Sequence, residues 1–306
     1  MRAAAALNRG RRALLSPAGV RGTSIEVVWA AAHAALYPMG AIRQRARLHS
    51  DRYSLRGLPP LQRGLLLGDV EAAGTPIVLV HGWVDNRSVF TLLRRALQRR
   101  GFGRVVTMNY NVLTNDVPRA ARRLAALVDE LCEETGHEQV HVVGHSMGGL
   151  VARYYVQRLG GDARVHTLAT LGTPHSGTRA AHLMPGRAVR DLRVGSKVIR
   201  ELMEPAPGCR TRFVAFWSDL DELVVPKRSA QIEHPDLVAR NVFVRGSGHL
   251  SLPIDRRVVH EIATTLAYLE SDGSTIARGI TPITATAPTP RIARRGRADV
   301  ATEGAG

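Results

Sequence analysis

From about residue 64 to residue 270 the chain alternates short apolar runs with longer amphipathic ones, and this alternation restricts its fold more than any single motif. LLLGDV (65–70) and PIVLV (76–80) have the length and composition of strands, with AAG between them as a turn. After them SVFTLLRRALQRR (88–100) repeats its apolar residues at helical spacing, RVVTMNY (104–110) is strand-like, and DVPRAARRLAALVDELCEETG (116–136) is helical up to Gly136. VHVVG (140–144), a helix over GGLVARYYVQRLG, and the strand VHTLATLG (165–172) continue the series. RFVAFWS (212–218), VARNVFVRG (238–246) and the amphipathic helix RRVVHEIATTLAYLE (256–270) complete it. Strands joined through helices run parallel, so the pattern predicts an α/β fold: a mostly parallel sheet with helices on both faces.

Parallel sheets collect chemistry at the carboxyl ends of their strands, where the loops open into a crevice faced by helix N-termini. The strand VHVVG ends there on Gly144-His145-Ser146-Met147-Gly148 and a helix follows at once. G-x-S-x-G between strand and helix is a nucleophile elbow: Gly144 and Gly148 let the chain turn tightly, and Ser146 is held with its hydroxyl outward. The backbone N–H of Met147 then faces the position where an oxyanion would develop. A serine hydroxyl needs a base and an orienting carboxylate, and the elbow template puts both after later strands, acid first. DLDELVVP after RFVAFWS offers Asp219, Asp221 and Glu222, and GSGHLS after VFVRG offers His249. Among twelve histidines, His249 alone lies in a small-residue loop after a late strand. His145 is expected to point away from the site, and His81, His175 and His260 to pack or to touch substrate.

Taken together, IVLVHGW, GHSMGGLVARYY, LGTPHSGT, SDLDELVVP and GHLSLP resemble, in content and order, the α/β-hydrolase superfamily and within it the bacterial lipase and esterase families (triacylglycerol lipase-like). The resemblance spans residues 64–270 and implies the α/β-hydrolase fold. The acid of such relatives commonly stands in D-x-[ILV]-V, which selects Asp221 ahead of Asp219. The resemblance also implies that the second oxyanion donor is the backbone N–H of Trp83, the residue after His81-Gly82, and that no metal or other cofactor takes part. Thr173, Pro174 and His175 are given no catalytic role. The short span from 174 to 210 leaves room for only a minimal cap, with AAHLMPGRAV (180–189) as a small lid.

The net charge of +16 is concentrated outside this region: residues 1–66 carry eleven Arg against two acids. Aromatic residues make up 5% of the chain and are not interleaved with arginine, so nucleic-acid binding is not expected. The domain organisation expected is a basic arm with an apolar stretch (1–63), a catalytic domain (64–270) and a C-terminal tail (271–306) without hydrophobic period. An arginine-rich arm suits an anionic membrane surface. The apolar stretch 25–41 is interrupted by Glu26, His33 and Pro38, and the first residues do not form a clear export signal, so a cytoplasmic or peripheral membrane location is favoured and secretion stays open. Cys132 and Cys209 lack metal-ligand spacing. The expected reaction is hydrolysis of a carboxylic ester, the substrate a small-molecule or lipid ester. An acyltransferase or thioesterase using the same three residues is the alternative, and a silent binding protein a more distant one.

Overall fold

The computed structural model describes residues 74–83, 87–110, 116–184 and 186–267, all within a unit of the chain that ends at Tyr268. LLLGDV, the basic arm and the C-terminal tail lie outside the described residues. Six strands form one sheet: β1 (Ile77–Val80), β2 (Val105–Met108), β3 (Val140–His145), β4 (Val165–Leu171), β5 (Arg212–Ser218) and β6 (Val238–Val244). Their order is β2-β1-β3-β4-β5-β6 and every pairing is parallel. The chain therefore builds outward from β1 in one direction, to β2, and then in the other, from β3 to β6. Loops leaving β1 and β3 diverge at this reversal, and the crevice between them is the natural ligand site of such a sheet.

Each face of the sheet has its own core. Helices α1 (Thr91–Arg99) and α6 (Arg256–Ala267) bury Leu93, Leu97, Val258 and Ile262 against Ile77, Leu79, Val143 and Phe216. On the opposite face α2 (Val117–Thr135) and α3 (Met147–Arg158) pack Leu124, Val128, Leu150 and Val151 against Val78, Val142 and Phe213. Local signals set the boundaries of α2. Asp116 caps its start by accepting from the N–H of Arg119 at 2.9 Å, and Gly136 stops it in a left-handed conformation with φ +73°.

The stretch 180–189 forms a 3-10 turn (Arg179–His182) and the start of a short helix α4 (Arg187–Asp191). Gly186 lies between them with φ +116°, a conformation no helix continues through. A second cap helix, α5 (Lys197–Met203), begins where Ser196 accepts from the N–H of Ile199. Arg153 of α3 anchors this cap from below. Its buried guanidinium donates from Nη2 to the Leu202 carbonyl at 2.9 Å and from Nη1 to that of His175 at 3.4 Å. Burial, aided by the nearby charge of Arg158, lowers its pKa to about 10, so it remains a cation at neutral pH. Among the described residues no helix is long and apolar enough to cross a membrane.

Candidate active site

Ser146 joins β3 to α3 with φ +54° and ψ −124°, the one positive φ outside glycine among the described residues. Such a conformation persists only where the surroundings enforce it. Here Ser146 donates its N–H to the Leu171 carbonyl at the end of β4, at 2.9 Å, and its own carbonyl accepts the Thr173 hydroxyl at 2.9 Å. The two flanking glycines leave no space for a side chain. A Cβ on Gly144 would stand 2.5 Å from the Gly149 Cα, and one on Gly148 2.1 Å from the Val80 carbonyl oxygen. The first turn of α3 is thus pressed against the end of β1, at the sheet reversal. Met147, buried, starts α3, whose unbonded N–H groups carry the positive end of the helix dipole.

Trp83 follows the end of β1 after His81-Gly82, half-buried against the α2–α3 core. The ring of His81 stacks on Tyr110 with centroids 4.5 Å apart, and the Tyr110 hydroxyl donates to the His81 carbonyl at 2.7 Å. This pair holds the turn that carries Trp83. Because Val80 and His81 carbonyls both border position 148, the Trp83 turn and the Met147 turn are neighbours across the crevice.

Two longer loops complete the constellation. Nδ1 of His249, after β6, lies 2.8 Å from Oδ2 of Asp221, after β5, and both side chains are buried. Oδ1 of the same carboxylate accepts the N–H groups of Leu223 and Val224 at 3.0 Å each. Burial would raise the pKa of Asp221, but His249, through charge and hydrogen bond, and then the Val224 N–H and Lys227, outweigh it and hold the group below the usual carboxylate range. Of the other two acids in this loop, Glu222 is exposed. Asp219 has a different partner: its Oδ1 accepts the Gly246 N–H at 2.7 Å, clamping the start of the His249 loop to the end of β5. The Ser218 hydroxyl donates to the Ser247 carbonyl in the same clamp.

Residues outside the expected triad and oxyanion donors also shape the site. Thr173 braces the Ser146 backbone, and Gly172 (φ +55°) forms the floor under the Asp221–His249 pair. His145, expected to point elsewhere, turns its Nε2 to within 3.0 Å of the His249 carbonyl oxygen. His175 is buried, with Nε2 2.9 Å from the Thr170 hydroxyl, whereas His260 is exposed on α6. The motif LGTPHSGT held the only hint of the first two, in its small residues next to a strand end.

A parallel sheet reversing between its first and third strands, with a strained serine elbow at the reversal, defines the α/β-hydrolase fold. In agreement, a family model described as alpha/beta hydrolase fold matches residues 75–202. Over these residues the chain is similar to the α/β-hydrolase superfamily, and its sheet has that fold. It is 29% identical over 113 residues to a triacylglycerol lipase of Pseudarthrobacter phenanthrenivorans, a match covering 35% of each chain. A triacylglycerol lipase of Vibrio cholerae is 33% identical over 116 residues, 36% of each chain. The chain therefore spans about a third of the length of the curated relatives it matches. Among solved structures, the mature Bacillus licheniformis lipase BlEst2 superposes with a TM-score of 0.55 at 20% identity, covering 64% of this chain and 92% of that one. Aspergillus fumigatus lipase B gives 0.56 at 16% identity, covering 63% and 52%.

Proposed function

We propose that this chain is a serine hydrolase of the lipase and esterase kind, cleaving carboxylic esters through an acyl-enzyme on Ser146. What supports the reading most is the strained Ser146 at the end of β3, together with a buried His249–Asp221 pair whose His249 carbonyl lies against His145, the residue before Ser146. Ser146 Oγ attacks the ester carbonyl carbon and its proton passes to His249 Nε2, the nitrogen left for it when Nδ1 faces Asp221. The negative charge on the carbonyl oxygen is met by the N–H groups of Met147 and Trp83. The intermediate collapses, the alcohol leaves with the proton from His249, and a water activated by the same histidine releases the acid. Asp221, held ionised, steadies the imidazolium at each step. The relatives named triacylglycerol lipase support an acylglycerol or similar lipid ester as substrate.

The test is hydrolysis of p-nitrophenyl esters from acetate to palmitate by the native chain and by Ser146→Ala. The variant should lose at least about 10³-fold in kcat, and the preferred acyl length separates esterase from lipase. Activity surviving in the variant would sink the acyl-enzyme; thioester cleavage or acyl transfer without ester hydrolysis would favour the alternative acceptors.

The catalytic domain proposed runs over 64–270, and the arm of residues 1–63, rich in arginine, is proposed to bring it to anionic lipid. Sedimentation with phosphatidylglycerol vesicles should fall when residues 1–60 are deleted. Equal binding by both forms would remove the arm from the mechanism.

A further inference from the structure

We infer that His145 is a positioning residue that ties the base His249 to the strand carrying the nucleophile, an inference that rests on the reading of His249 as the base. His145 is the last residue of β3, one peptide bond before Ser146, and is fully buried. Its Nε2 lies 3.0 Å from the His249 carbonyl oxygen. A carbonyl oxygen only accepts, so Nε2 must carry the hydrogen and His145 is the donor. The two imidazoles pack with centroids 4.8 Å apart and planes tilted by 42°.

The arrangement answers a specific geometric need. His249 sits in the loop between β6 and α6, and β6 is four strands from β1 and three from β3 in the sheet. Small errors in loop position would accumulate before reaching Ser146. Asp221 fixes the ring of His249, and Asp219 fixes the loop's entry at Gly246, yet neither refers the base to the nucleophile strand itself. The His145 bond does so, linking the main chain of the base to the residue covalently joined to the nucleophile. A leucine or valine would fill the buried volume; only a directed donor also bonds the His249 carbonyl.

The experiment compares the full-length native chain with His145→Gln, which keeps an amide donor near the Nε2 position, and His145→Leu, which fills the space without one. If Leu does not fold, His145→Phe takes its place. For p-nitrophenyl butyrate the non-donor variant should lose about 10- to 100-fold in kcat, the scale of a misplaced catalytic group, with KM within about twofold, and Gln should recover most of it. Hydrogen exchange across residues 246–252 should speed up in the non-donor variant and not in Gln. Equal kcat in Gln and the non-donor variant, with unchanged exchange in that loop, would overturn the tether. A native chain that cleaves no ester would defeat the reading of His249 as base, while the exchange comparison would still decide whether His145 holds the loop.

Discussion

A methyl group at position 172 would stand 2.7 Å from Oδ2 of Asp221 and 3.0 Å from Nδ1 of His249, and φ +55° there adds backbone strain for any residue but glycine. Gly172→Ala should therefore separate Asp221 from His249 and, if the proposed mechanism holds, lower kcat by on the order of 10²-fold, with smaller effects on KM; a kcat within twofold of native would show that the pair is not needed in this geometry. The two aspartates of the loop make a sharper comparison. In the proposed mechanism Asp221→Asn removes the charge that steadies the imidazolium and should cost roughly 10³- to 10⁴-fold in kcat. Asp219→Asn keeps an oxygen to accept the Gly246 N–H and should stay within about tenfold. The reverse ranking would reassign the acid.

The elbow is an element-scale device, because α3 can start where it does only by touching β1. Gly148→Ala places a Cβ 2.1 Å from the Val80 carbonyl oxygen, a backbone atom of a central strand that cannot yield without disturbing the sheet. The expected cost exceeds about 3 kcal/mol in urea unfolding. Gly160, which follows α3 at φ +75°, has open space around its missing Cβ. Gly160→Ala meets only the left-handed penalty and should cost about 1 kcal/mol. Similar costs at the two sites would mean that the β1–α3 contact is looser than it looks. The boundaries of α2 were legible from Asp116 and Gly136, since a cap acts within one turn. Those of the cap were not, because α5 depends on Arg153 reaching it from α3, about fifty positions earlier.

At the scale of the whole molecule, buried histidines make stability depend on pH. Burial, with smaller contributions from His166 and His137, lowers the pKa of His141 on β3 to about 3, and neither ring nitrogen has a hydrogen-bond partner among the described residues. His175 is likewise pushed well below its usual value, by burial and then by the charge of Arg153. Above pH 6.5 both are neutral folded or unfolded and contribute no slope. As pH falls below 6.5 the unfolded chain takes up protons that the folded chain refuses, so stability declines until the folded pKa is reached, near pH 3 for His141. The slope is about 1.4 kcal/mol per pH unit for each such histidine. Urea melts between pH 7 and 4 should show it, and His141→Leu should flatten it by about one proton. An unchanged slope would mean that His141 is solvated.

The alternation of strand and helix, the glycine-flanked Ser146 and the histidine after the last strand can all be read without coordinates. Each rests on a local property: side-chain periodicity, a turn only glycine permits, or the order of loops along a parallel sheet. The sheet order depends on the folded chain, and so does the contact that turns Asp221 toward His249, which only the motif resemblance and no local property favoured over Asp219. Asp219 and Asp221 are chemically equivalent and two residues apart; the loop leaving β5 turns one toward Gly246 and the other toward His249. His145 and Gly172 matter for the same reason. Their partners lie 104 and 49 or more positions away in the chain, and only packing of the sheet brings them within hydrogen-bond reach or contact distance.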